Sequence, residues 1–301
     1  MAARFKEGIR IGTLVSGGPN TAEYIRQMLP HEFESFSITF WQTCIGTDLR
    51  KLADQVKRVL DGTGAIISSL GVYGNPLMDN RMGKATRESW QRLIDAAPLF
   101  GADVVCGFAG RVVDKPIPES MKKYKQVFGP LGRRAAGKGV RLAFENCEMG
   151  GDWEKGDWNI AQTPAAWEMM FDALPARNIG LEWEPCHQMV KLIDPMPQLR
   201  KWIRKIFCLH GKDATIRWEV IREHGIRGPV PWAFHRTPGF GDSNWADIIT
   251  ALRLGGFEGS IDIEGYHDPV YRGDLEMTGQ VMALNHLKQC RGGAGFVANP
   301  N

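Results

Sequence analysis

Apolar and polar positions along the chain alternate between two periods. Ile9 to Val15 is a short apolar run that opens into Ser16-Gly-Gly-Pro, and Phe33 to Trp41 alternates in steps of two with aromatic and β-branched residues; both predict strands. Between them Thr21 predicts the cap of a helix over Ala22 to Met28, and beyond them Leu49, Leu52, Val56 and Leu60 recur at helical spacing over 48–60. The pattern then repeats. Strands are predicted over 64–71, 102–108, 140–147, 178–184, 206–213 and 259–265, and a weaker one over 231–236. Helices are predicted over 87–100, 119–136, 164–174, 198–204, 244–254 and 278–289, the third with Thr163 as cap and Pro164 in its first turn.

Strand and helix alternate about eight times without a long polar linker. Such alternation implies parallel strands joined by crossover helices, so the predicted fold class is α/β, a closed (β/α)8 TIM barrel in one domain over 1–292 with a flexible tail over 293–301. No GxGxxG opens the first helix and no GxxxxGK[ST] is present, which makes an open nucleotide-binding sheet the weaker option.

Composition narrows the partners. The 37 basic and 34 acidic residues nearly cancel, giving +3 overall, so charge offers no reason to invoke nucleic acid or an acidic membrane surface. The first residues lack the apolar core of a signal peptide, and no stretch approaches ~18 consecutive apolar residues. Six cysteines without short paired spacing suit free thiols in a reducing compartment, and together these features predict a cytoplasmic protein.

The chemistry collects at strand ends. Glu145 closes Arg-Leu-Ala-Phe-Glu, Glu184 closes Leu-Glu-Trp-Glu before Pro185, His210 closes Phe-Cys-Leu-His, and Glu264 closes Ile-Asp-Ile-Glu. In a barrel, carboxyl ends of strands face one mouth, so these four groups are expected to converge there. Three carboxylates brought together repel one another, and a divalent cation resolves that repulsion. Three carboxylates and one imidazole make a hard, oxygen-rich set suited to manganese or magnesium, with cobalt and zinc also fitting.

Singly, each residue also has an ordinary structural explanation: Glu145 as a partner of Arg141 or Lys138, His210 as a hydrogen-bonded core histidine, Glu264 as a rim carboxylate. Four such explanations would be needed at once. Glu182 and Asp262, two residues below Glu184 and Glu264 on the same faces, are expected to support the ligands rather than touch substrate.

The ordered set Phe144-Glu-Asn146, Trp183-Glu-Pro-Cys-His187, Leu209-His-Gly-Lys-Asp213, Pro238-Gly-Phe-Gly-Asp242 and Ile263-Glu264 resembles the sugar isomerase/epimerase superfamily built on the xylose-isomerase-like TIM barrel, over about 9–288. The resemblance implies that Glu145, Glu184, His210 and Glu264 hold the metal and that His187 binds substrate. The chain departs from it at Glu184, where relatives carry Asp. An extra methylene displaces metal or substrate by about an ångström, enough to matter for rate, and suits a bulkier or oxidised sugar such as a keto-glycoside cleaved by elimination.

The expected reaction is proton abstraction beside a carbonyl through an enediolate, on a non-phosphorylated sugar or keto-sugar. Glu145 and Glu264, on opposite walls, act as paired acid and base, and His187 orients a hydroxyl or serves as base in an elimination. Lys212 and Asp213 either place the sugar or pair with each other at the rim, the pair being favoured. Arg217 can reach a substrate hydroxyl or be a solvated charge. Among the aromatic residues that can stack a sugar ring, Trp41 and Phe240 lie in strand-end loops, whereas Trp183, Trp232 and Phe108 can equally fill core.

Gly239-Phe-Gly-Asp242 is predicted to be a turn before a helix at Asn244, since Asp242 would repel phosphate. The alternatives are a metal-dependent deglycosidase cleaving a 3-keto-glycoside on the same site, perhaps beside a second subunit, and a non-catalytic sugar-binding barrel. Relatives commonly form dimers or tetramers, so a homo-oligomer is expected.

Overall fold

The computed structural model describes residues 8–265 and 267–293; the tail beyond 293 lies outside the described residues. In chain order the strands are β1 (Ile9–Ser16), β2 (Ser35–Trp41), β3 (Ile66–Tyr73), β4 (Val104–Gly107), β5 (Arg141–Glu145), β6 (Ile179–Trp183), β7 (Ile206–Gly211), β8 (Asp213–Ile216), β9 (Ala233–Arg236) and β10 (Gly259–Ile263). The helices are α1 (Thr21–Met28), α2 (Leu49–Leu60), α3 (Arg81–Phe100), α4 (Met121–Ala136), α5 (Pro164–Ala173), α6 (Cys186–Met189), α7 (Pro195–Trp202), α8 (Trp218–His224), α9 (Trp245–Leu254) and α10 (Glu276–Arg291).

Strands β1 to β7 and β10 pair in parallel, each with its successor, and β10 returns to β1 through the register Ile9↔Gly259 to Thr13↔Ile263. This is the predicted eight-stranded barrel. The weak strand over 231–236 has a different fate: β9 pairs antiparallel with β8, Ala214 opposite His235, in a separate two-stranded ribbon over the mouth. All its residues are half-buried at that outer position, whereas β7 of the barrel is buried throughout.

Two layers of core position the site. Outside the barrel, aromatic rings fill the space under the helices: Trp90 meets Phe128 edge-on at 5.2 Å, and Phe128 meets Phe144 at 4.7 Å. Inside, the filling is partly polar. Ser35 and Ser68 donate to Asp262 at 2.7 Å each, and Tyr73 donates to Glu182 at 2.9 Å. Gly12 is required here, because a Cβ would stand 2.1 Å from Ser35 Oγ and 2.3 Å from Asp262 Oδ1. At the opposite end Arg291 of α10 clamps Glu34 through both carboxylate oxygens (2.5 and 2.9 Å), tying the last helix to the barrel floor.

Helix starts follow their caps. Asp48 accepts from Lys51 N–H, Asn80 from Gly83, Thr163 from Ala166 and Asn244 from Asp247. Thr21 does not act as a cap: its hydroxyl turns back to Ser16 O and Gly18, closing the β1–α1 loop, and Asn20 precedes the helix. The turn before Asn244 forms as expected, with Asp242 accepting from Ile216 N–H at 2.8 Å. Among the described residues no helix is long and apolar enough to cross a membrane.

Candidate metal centre and substrate cavity

Glu145, Glu184, His210 and Glu264 come from the carboxyl ends of β5, β6, β7 and β10, which are neighbours around the barrel. Each offers a ligand atom within 4.8 Å of the others, and all four side chains are buried. His210 Nδ1 lies 3.0 Å from Glu145 Oε1 and 3.1 Å from Glu264 Oε2, and its Nε2 lies 3.0 Å from Glu182 Oε1. Glu145 and Glu264, from strands three places apart around the eight-stranded barrel, both reach toward one imidazole nitrogen.

The electrostatics show what the cluster asks for. Burial pushes the Glu145 carboxyl up, against the stabilising hydrogen bond and charge of His210. Burial also disfavours charge on Glu264, but Lys212 and His210 outweigh it and hold this carboxyl well below its ordinary range. Burial disfavours the His210 cation, yet Glu182, Glu145 and Glu264 push its pKa well above the ordinary value. The carboxylates around His210 thus favour its positive form.

That cation does not satisfy all of them. Both oxygens of Glu184 and Oε2 of Glu264 are buried without a hydrogen-bond partner. His187 Nε2 comes within 2.6 Å of Glu184 Oε1, but not in hydrogen-bonding geometry, so proximity does not count as satisfaction. Buried, orphaned carboxylate oxygens beside an oxygen-rich cluster fit a divalent cation.

Backbone clamps fix the strand ends. Asn146 accepts from Glu184 N–H at 2.8 Å and donates to Glu184 O at 2.9 Å. Asn159 donates to the carbonyls of Glu145 and Cys147 at 2.8 Å each. Pro185 ends β6 as expected, but His187 sits on the single turn α6 rather than in an irregular loop. Its Nδ1 meets Glu148 Oε2 at 3.0 Å. Burial alone would raise the Glu148 carboxyl, but His187 and Lys191 bring it down to about 2.

A cavity of about 950 Å³ opens above the cluster. Glu145, His187, His210, Lys212 and Glu264 line it, as do Trp41, Tyr73 and Phe108. The favoured Lys212–Asp213 pair does not form. Lys212 Nζ lies 2.8 Å from Glu264 Oε1 and 3.4 Å from His187 Nε2, whereas Asp213 accepts from Ala214 and Ser243 N–H and from Trp245 Nε1. Successive residues of an extended chain point to opposite sides, so Lys212 and Asp213 part company.

Two further candidates lie away from the cavity. Arg217 is placed on the ribbon side, bonded to Glu219 and to Pro231 O, and does not line the cavity. Phe240 stacks on Tyr271 at 4.3 Å and does not line it either. Trp183 is core, donating to Gln188.

The sequence reading missed Tyr73, Glu148, His235 and His267, all of which line the cavity or meet its groups. A signal existed for one of them: Glu264-x-x-His267 repeats the spacing of Glu184-x-x-His187, and His267 Nε2 lies 3.5 Å from Glu264. Burial holds both extra histidines down, helped by Lys212, His235 to about 3.

A closed α/β barrel with ionisable groups gathered at the carboxyl ends of its strands defines the class. Residues 26–290 match the family described as xylose isomerase-like TIM barrel, and the chain belongs to that family. Among solved structures it is similar to a xylose isomerase domain protein from Planctomyces limnophilus, at 17% identity and TM-score 0.72, covering 95% of this chain and 98% of that one. A D-psicose 3-epimerase with D-tagatose from Clostridium cellulolyticum H10 is similar at 13% identity and TM-score 0.69, covering 94% and 99%. So is a 3-keto-D-glucoside 4-epimerase from E. coli, at 16% and 0.68, covering 94% and 100%. No curated protein sequence matches the chain.

Proposed function

We propose that this protein is a divalent-metal-dependent sugar isomerase or epimerase that moves a proton at the carbon beside a carbonyl of a non-phosphorylated sugar or keto-sugar. The observation that carries the reading is the buried set Glu145, Glu184, His210 and Glu264, with three carboxylate oxygens left without partners. These four residues would hold the cation, with manganese the best match to the donor set and magnesium, cobalt or zinc compatible. When bound, it supplies Lewis-acid polarisation of a carbonyl oxygen.

The chain's own groups then divide the proton work. Lys212 keeps Glu264 ionised and fit to accept a proton, while burial raises Glu145 and suits it to donate one. One carboxylate takes the proton from the carbon and the other returns one, as a paired base and acid do. His187, oriented through Nδ1 by Glu148, presents Nε2 to the cavity side of Glu184 and Lys212, where it can orient a substrate hydroxyl. The similarity in fold to sugar epimerases supports the same chemistry. A homo-oligomer acting in the cytoplasm, without nucleic acid or membrane, completes the proposal.

The test is metal content of the purified protein, followed by exchange of sugar protons in heavy water with manganese restored. Exchange beside the carbonyl that disappears in Glu145→Gln and in Glu264→Gln supports the reading. Protein with no bound metal and no affinity for manganese would refute it.

A further inference from the structure

Two arcs of the cavity lining, beside the segment 14–21 that also lines it, differ in chemistry. Tyr73 from β3, Phe108 following β4 and Trp41 from β2 line one side of the barrel mouth. Their rings form a continuous chain through Trp158: Tyr73–Phe108 at 5.3 Å, Phe108–Trp158 at 6.4 Å and Trp158–Trp41 at 5.4 Å. The chain starts beside His210, 6.1 Å from Tyr73, and ends at Trp41, which is 59% exposed. An indole that bounds a cavity yet stays this open contributes little to the core.

The other arc is polar. His187 follows β6, His235 lies on the ribbon after β7, and His267 follows β10, with ring centroids 5.2 and 5.8 Å apart in succession. These imidazoles suit hydroxyl groups, and among the described lining residues the one ammonium, Lys212, already has Glu264. Among the described residues an anionic ligand therefore finds no open ammonium on this wall.

We infer that the site takes a keto-glycoside rather than a free sugar: the keto-sugar ring lies on the carboxylate floor against the histidine arc, and a flat aromatic aglycone stacks on Trp41, where the aromatic series that begins at Tyr73 and Phe108 reaches the mouth. A cavity of about 950 Å³ is large for one six-carbon sugar and falls at the upper end of the roughly 300–1,000 Å³ that accommodates drug-sized ligands. Aromatic rings laid in series recognise a second ring through stacking, which a hydroxyl-studded monosaccharide uses on one face at most. Placement of the sugar end rests on the proposed isomerase or epimerase function; the aromatic subsite does not.

The experiment compares phenyl β-D-glucopyranoside with methyl β-D-glucopyranoside on the purified full chain, by tryptophan fluorescence titration and saturation-transfer NMR. Phenyl glucoside is expected to bind on the order of tenfold more tightly, with the strongest transfer to its ring protons. In Trp41→Ala, and in the bulk-retaining Trp41→Leu, the preference falls to about twofold or less while manganese affinity stays at its wild-type value, which shows the fold intact. Equal or undetectable binding of the two glycosides overturns the inference. So does a preference that survives both Trp41→Leu and Trp158→Ala, or a Trp41→Leu variant that changes oligomeric state and leaves the preference untouched, since Trp41 would then cover an interface between copies. Loss of all sugar proton exchange with the phenyl preference intact would remove the proposed reaction and leave the subsite standing.

Discussion

Glu184→Gln separates a metal ligand from a structural carboxylate, because the two roles predict opposite signs in the metal-free protein. Glu184 is fully buried and neither carboxylate oxygen has a hydrogen-bond partner. An unsatisfied buried polar group costs about 1–3 kcal/mol, and more if charged. Glutamine keeps the shape, removes the charge and can donate toward His187 Nε2, now 2.6 Å from Oε1. The metal-free variant should therefore be more stable than the wild type by about 1–3 kcal/mol.

With manganese most or all of that advantage is lost. A cation at 1,000 times its Kd stabilises the native state by about 4 kcal/mol. Losing one carboxylate ligand is expected to weaken affinity on the order of a hundredfold, removing about 2.7 kcal/mol of that gain. Urea unfolding of both proteins, with chelator and with manganese, measures all four values. A variant less stable than wild type under chelator, or one with undiminished manganese stabilisation, would refute the reasoning.

Asn146→Leu preserves bulk but strips both partners from the Glu184 backbone; a loss of about 2–5 kcal/mol in urea unfolding is expected, together with weaker manganese binding by titration calorimetry. The Glu148 carboxyl is lower in the folded state, at about 2, than in the unfolded chain. Its contribution, at most ~3 kcal/mol, is thus complete above about pH 4.5 and lost as pH falls toward 2, so the stability gap between wild type and Glu148→Gln should close across that window. Arg217→Ala, at a residue bonded to Glu219 and Pro231 O on the ribbon, should leave sugar proton exchange within about twofold of wild type and stability within about 0.5 kcal/mol; a large loss of exchange would return Arg217 to the site.

Much of the barrel and its floor was legible because both are written in local periods. A strand buried on both faces needs an apolar run, a helix on its outside needs a 3.6-residue stripe, and a charged residue that ends such a run is placed at the mouth by the fold itself. Glu145, Glu184, His210 and Glu264 are such residues, and the structure gathers them. The sequence alone thus determined the fold class and named the four residues that the structure brings together.

Tertiary structure decided which neighbours those groups meet. Lys212 and Asp213 are adjacent in the chain, but their side chains leave opposite faces, one to Glu264 and the other to Trp245. The 231–236 segment reads as a barrel strand until its partner is known, and pairing with β8 carries His235 over the mouth. Arg217 and Phe240 occupy loops whose direction no local period sets, and they find Glu219 and Tyr271 instead of the cavity. Periodicity fixes which face of an element a residue occupies, whereas a loop side chain takes its partner from elements far away in sequence, and those contacts exist only once the barrel has closed.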